Sequence, residues 1–104
     1  MTPPHTYLEP NQQTLYVDRV RSSRLLERIR QGHLQNIRFN DLIKLARDLG
    51  FAEVRQRGSH HILIHPDMGT PLNLQEVAGA AKPYQVRQFR DLISRYNLQI
   101  GEEP

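Results

Sequence analysis

The chain has 104 residues, 14 Lys and Arg against 11 Asp and Glu, a formal charge of +3, 38% hydrophobic residues, and neither Cys nor Trp. That length supports one modest core rather than two, and the lack of cysteine excludes a disulfide framework and cysteine-based zinc sites. No apolar run approaches the ~20 residues that cross a bilayer. The opening "MTPPHTYLEPNQQ" has neither the basic nor the apolar segment of a secretory signal, so a cytoplasmic protein with no membrane partner is expected.

In chain order, residues 1–21 carry three prolines and little periodicity, which reads as an irregular arm, with Leu15, Tyr16 and Val17 able to dock as a short strand. From Ser22 the pattern turns helical. Ser22 or Ser23 can cap, Leu25, Leu26 and Ile29 share a face, and Gly32 stops the segment. Five arginines between positions 19 and 30 make the other side basic, a solvated helix face. A second helix is capped by Asn40 or Asp41, striped by Leu42, Ile43, Leu45, Ala46 and Leu49, and ended by Gly50.

Three strands follow. "AEVRQR" alternates with Ala52 and Val54 on one face, "HILIH" is β-branched and brief, and "PLNLQ" alternates through Leu72 and Leu74. "HPDMGTP" has the Pro, Asp and Gly of a hairpin loop. "EVAGAAKP" reads as a small, flexible connection to a last helix over Pro83–Tyr96, where Val86, Phe89, Leu92, Ile93 and Tyr96 recur at helical spacing. The expected fold class is α+β, an α-β-β-β-α sandwich of a three-stranded antiparallel sheet with helices on one face, preceded by an extra helix. Phe39, Phe51, Phe89 and Tyr96 fall at core positions, and Tyr16 and Tyr84 are not assigned to base stacking.

The chemistry concentrates in "RQRGSHHILIHP", residues 55–66. His61 and His65 are four apart, which on a helix would let both reach one metal ion. In a strand they stand ~13 Å apart at ~3.3 Å per residue, too far for one ion, and no Cys or Glu nearby completes a set. Ser59 and His60 are adjacent, so a strand sends them to opposite faces and denies them a nucleophile–base hydrogen bond. A third reading needs neither metal nor serine. RNA carries its own nucleophile in the 2′-hydroxyl, so cleavage needs one group that moves protons near neutrality and positive charge for the developing phosphorane. His60 suits the first task, and Arg55 and Arg57 suit the second. Gly58 lets backbone approach closely, and Lys82, just before a helix N-terminus, can add a phosphate grip.

"FNDLIKLARDLGFAEVRQRGSHHILIHP" resembles the HicA-type toxins, mRNA interferases of bacterial type II toxin–antitoxin pairs, over about residues 38–98. The shared features are a helix ending at Gly-Phe, a basic strand, Gly-Ser-His-His, then His-Pro. The resemblance implies a double-stranded-RNA-binding-like fold, a metal-independent endoribonuclease without cofactors, mRNA as substrate and a HicB-type antitoxin as partner. It makes His60 the catalytic histidine, Gly58 the motif glycine, Arg57 the conserved charge and His61 accessory, with Ser59 inside the motif. On this division residues 1–37 form an N-terminal extension with an arm and a basic helix, a possible route to self-association, and 99–104 an acidic tail. A non-catalytic double-stranded-RNA-binding module and a domain that only pairs with an antitoxin remain as alternatives. The phase of this strand stays open: if Ile62 and Ile64 face the core, His60 shares their face and needs a kink at Gly58 to be exposed, while His61 and His65 point to the free side.

Overall fold

The computed structural model describes residues 10–101, with side chains from Val17 onward. The chain runs α1 (Pro10–Arg30), α2 (Phe39–Asp48), β1 (Ala52–Arg57), β2 (His60–Ile64), β3 (Leu72–Val77), β4 (Ala80–Ala81) and α3 (Pro83–Arg95). The strands form one antiparallel sheet in the order β1-β2-β3-β4. The helices are packed on one side of it, which is the expected α+β class with its extra N-terminal helix. A two-residue fourth strand is added to the expected three.

One core joins the layers. Leu42, Leu45 and Ala46 of α2, Leu63 of β2, Leu74 of β3, and Val86 and Phe89 of α3 are fully buried within it, together with Ile29 of α1. Truncating a buried aliphatic such as Ile29 costs about 2–5 kcal/mol, so α1 is tied to the sheet domain energetically. All three helices stop the same way, in a Schellman arrangement. At α2 the Phe51 N–H reaches Ala46 O at 3.0 Å and the Gly50 N–H reaches Arg47 O at 3.0 Å. Gly50 has a φ of +103°, a conformation that carries little penalty only for glycine. A Cβ there would also lie 2.8 Å from His65 Nε2.

Three local expectations are corrected. Helix α1 begins at Pro10, so residues 10–21 are helical rather than irregular; proline is compatible with a first helical turn, and nothing after it breaks the helix. Ser22 is therefore no cap: it lies mid-helix, 3% exposed, and its hydroxyl donates to Asp48 Oδ2 at 2.5 Å. Polar contacts hold this stretch, including Lys44 to Asp18 at 3.6 Å, which is why apolar periodicity missed it. The docking strand imagined for Leu15 to Val17 is helix, while the Tyr16 side chain, residues 1–9 and the acidic residues of the tail lie outside the described residues. Helix α2 starts one residue before its expected caps. Arg38 occupies the cap position without a side-chain bond, and the Phe39 N–H is taken up by Gly79 O at 2.9 Å. Finally, "EVAGAAKP" is no loose linker but the β3–β4 hairpin, whose edge is covered by a bridge from Arg38 to Ala80.

Candidate active site

The β1–β2 hairpin builds the site. Arg57 pairs with His60 across a two-residue turn of Gly58 and Ser59. Gly58 has a φ of +55° and Ser59 does not enter the left-handed region, the pattern of a II′ turn, which needs glycine first. A Cβ on Gly58 would meet nothing within 4 Å. The glycine therefore serves the backbone conformation of the turn, and the space around it is open. The Ser59 carbonyl accepts the Glu76 N–H at 2.8 Å and its hydroxyl the Gln75 Nε2 donor at 3.4 Å.

The structure decides the strand phase that the sequence leaves open. Leu63 is fully buried while Ile64 is 45% exposed, so His61 and Leu63 face the helices and His60, Ile62 and Ile64 face the open side. With apolar residues at 62, 63 and 64 in succession, alternation alone could not choose between the phases. His60 is exposed on the free face of the sheet and needs no kink to reach solvent.

A β-bulge then brings charge to the same face. Glu53 pairs with Leu63, but Arg55 pairs with Ile62, leaving Val54 as the extra residue. Without it, the alternation starting at Ala52 and Val54 would have sent Arg55 and Arg57 to the helix side. With it, both arginines share the open face with His60, and neither has an ion-pair partner among the described residues. Bulges re-aim side chains in this way near active sites.

The three clustered histidines separate. His61 is packed against the Phe39 ring at 4.6 Å, with Nδ1 2.6 Å from Glu53 Oε1 and Nε2 buried without a partner. His65 accepts the Asp67 N–H at Nδ1 (3.0 Å) and donates from Nε2 to Leu49 O (3.0 Å), so both its nitrogens are used structurally. Its ring meets Phe51 edge-on at 5.0 Å, which gives Gly-Phe and His-Pro a common physical cause. Among the described residues no three His, Cys, Asp or Glu side chains cluster to hold a metal ion.

Among the described residues His60 has one side-chain partner, Asn73 Oδ1, 3.3 Å from Nδ1. Asn73 is not among the residues expected at the site; its position between Leu72 and Leu74 marks an outward-facing residue, but the undecided phase of β2 hides its neighbour. Lys82 is half-buried at the start of α3, its Nζ 5.9 Å from the Tyr84 ring. The β3–β4 register ends at Glu76–Ala81, so Lys82 lies one residue past the sheet, at the cap of α3. The Gln75 N–H, lacking a strand partner there, donates to Oε1 of the buried Gln85 at 2.7 Å. Arg57, His60 and Gln75 are paired in one transverse row, and no hydrogen bond, ion pair or ring contact joins Lys82 to His60 among the described residues.

No helix among the described residues is long and apolar enough to cross a membrane. Residues 39–91, just over half of the chain, match the family described as the HicA toxin of bacterial toxin–antitoxin. No curated protein and no solved structure matches the chain. The matched span opens at the first residue of α2, contains the whole sheet and leaves out α1.

Proposed function

The chain belongs to the HicA toxin family of bacterial toxin–antitoxin systems, and from that premise we propose that it is a metal-independent endoribonuclease that cleaves mRNA with His60 as its catalytic histidine. The observation that carries this reading is the placement of an exposed imidazole beside Arg57 on the uncovered face of the sheet, with Arg55 one pair further along.

The His60 imidazole takes the proton of a ribose 2′-hydroxyl. The freed oxygen attacks the adjacent phosphorus, the bond from phosphorus to the 5′-oxygen breaks, and that oxygen leaves with a proton returned from imidazolium or water. The products are a 2′,3′-cyclic phosphate and a 5′-hydroxyl end. Arg57 and Arg55 offset the negative charge that builds on the phosphorane, and Lys82 grips a flanking phosphate from the start of α3. Gly58 and Ser59 hold the turn, and His61 supports it from beneath through Glu53 and Phe39. No cofactor enters these steps.

The partner in this reading is a HicB-type antitoxin that lies over the same open face. The mixed character of that face favours a protein cover: Val54 (54% exposed) and Ile64 stand beside the arginines. The proposed setting is the cytoplasm, where mRNA and antitoxin are both found. Self-association through residues 1–37 is a separate proposal, decided by sedimentation at two protein concentrations; a monomer at both disproves it.

The test is incubation of the purified chain with an RNA and a DNA strand of one sequence, with and without chelator. RNA alone should be cut, equally under chelator, because DNA offers no 2′-hydroxyl. Cutting of DNA, or loss of activity under chelator, overturns the mechanism. Salt-sensitive RNA binding without cleavage favours the non-catalytic module instead.

A further inference from the structure

We propose that Asn73 is a positioning residue for His60, fixing the imidazole so that Nε2 is the nitrogen that accepts the substrate proton; this rests on the ribonuclease reading for its catalytic meaning. On β3, Leu72 and Leu74 are buried on either side of Asn73, so the strand pins its carboxamide to the open face. Asn73 pairs with Ile62, two residues from His60, and the diagonal between them is spanned by the 3.3 Å contact of Nδ1 with Oδ1. An amide oxygen only accepts. Nδ1 must then carry the ring proton, and Nε2 presents a lone pair to solvent on the face where the arginines stand. A histidine without such a partner rotates freely and divides its neutral population between tautomers, only one of which has the right nitrogen free.

The surroundings explain why an amide suits this place. The charged groups on His60's face are Arg57 and Arg55 from β1, with Lys82 beyond β3. On β3 itself the neighbours are the neutral Asn73 and Gln75. Glu53 and Glu76 occupy the alternate, helix-side positions of their strands, so no carboxylate shares the open face of β1–β3 among the described residues. An aspartate at position 73 would hold the ring in the same orientation but add a negative charge that favours imidazolium. A base must be unprotonated to act, so the acid limb of the cleavage profile would move to higher pH, with activity recovered on the alkaline side.

The test uses the full chain, isotopically labelled, with proton–nitrogen correlation spectra of the histidine rings. Wild-type His60 should show the proton on Nδ1 in its neutral form, and Asn73→Ala should shift it toward the Nε2-protonated form. Asn73→Asp should restore the Nδ1 proton while raising the midpoint of the His60 titration. In RNA cleavage Asn73→Ala should lower kcat ~10-fold or more with KM little changed, and Asn73→Asp should move the acid limb by as much as the titration midpoint. Asn73 is exposed, so equal melting temperatures should accompany all three proteins. An unchanged tautomer in Asn73→Ala, or a wild-type Nε2-protonated ring, overturns the proposal. If no RNA is cut, the ribonuclease reading fails, while the spectra still decide whether Asn73 orients the ring.

Discussion

His60 and His61 are neighbours in sequence and share no surroundings. Strand alternation puts one on the open side, with Asn73 as its one side-chain partner among the described residues and Arg57 across the hairpin. It puts the other against Phe39, with its Nδ1 committed to Glu53. His65 goes further, both nitrogens occupied and the ring wedged between Phe51 and Gly50. Three imidazoles within six residues therefore divide into one available for chemistry and two that hold β2 to the helix layer. Residue type gave no means of telling them apart; burial and hydrogen-bond partners do.

Exchanging the histidines one at a time tests that division. The largest effect is expected for His60→Ala: RNA cleavage should fall ~10²–10⁴-fold, the usual worth of a positioned acid–base group, with the melting temperature unmoved because the ring is exposed. A cleavage assay beside a thermal melt checks both halves, and a large drop in stability would place His60 with the structural pair. His65→Ala should do the opposite. It strips Leu49 O and the Asp67 N–H of their partner and leaves a void beside Phe51, together worth about 2–4 kcal/mol. For a domain of this size that lowers the melting temperature by roughly 10–20 °C, while cleavage per folded molecule is retained.

His61→Ala is the intermediate case. One hydrogen bond and one ring contact are lost, and Glu53 is left half-buried with only the Arg47 guanidinium, 3.9 Å away. A loss of about 1–3 kcal/mol is expected, read by denaturant titration. A fall in kcat larger than that in stability would show that His61 acts on the substrate rather than beneath it.

Much of the fold was readable from the chain. Helices α2 and α3 announce themselves by apolar spacing, β1 and β3 by alternation, and β2 by its short β-branched run before His-Pro. The site was readable only as a motif. Which side of the sheet it occupies depends on Val54, an added residue that reverses the alternation of β1, and on the choice of Leu63 over its isoleucine neighbours for the core. Both are decided by three-dimensional packing of α2 against β2, which no local pattern encodes. Helix α1 was shortened for the converse reason: residues 10–21 lack an apolar stripe, and their attachment runs through Asp18, Arg21 and Ser22 to charged groups on α2.

The two hairpins offer the smallest and sharpest comparison. Both have two-residue turns, but β1–β2 places Gly58 where φ is positive, whereas β3–β4 places Ala78, φ +51°, before Gly79, φ +78°. Two positive values define a I′ turn, whose favoured first residue is asparagine. Alanine there bears the clash of its Cβ with the following carbonyl, about 1–2 kcal/mol. Ala78→Asn should therefore stabilise the chain by about 0.5–1 kcal/mol, because asparagine tolerates the left-handed region at less cost. Ala78→Gly should gain less, since the extra freedom glycine brings to the unfolded chain offsets part of the relief. Gly58→Ala should lose about 1 kcal/mol for the mirror reason, with no clash against other residues, its surroundings being empty. Denaturant midpoints rank the three. An Ala78→Asn protein no more stable than the parent would mean that the bridge from Arg38 to Ala80 and the bond from Phe39 N–H to Gly79 O already hold this turn without strain.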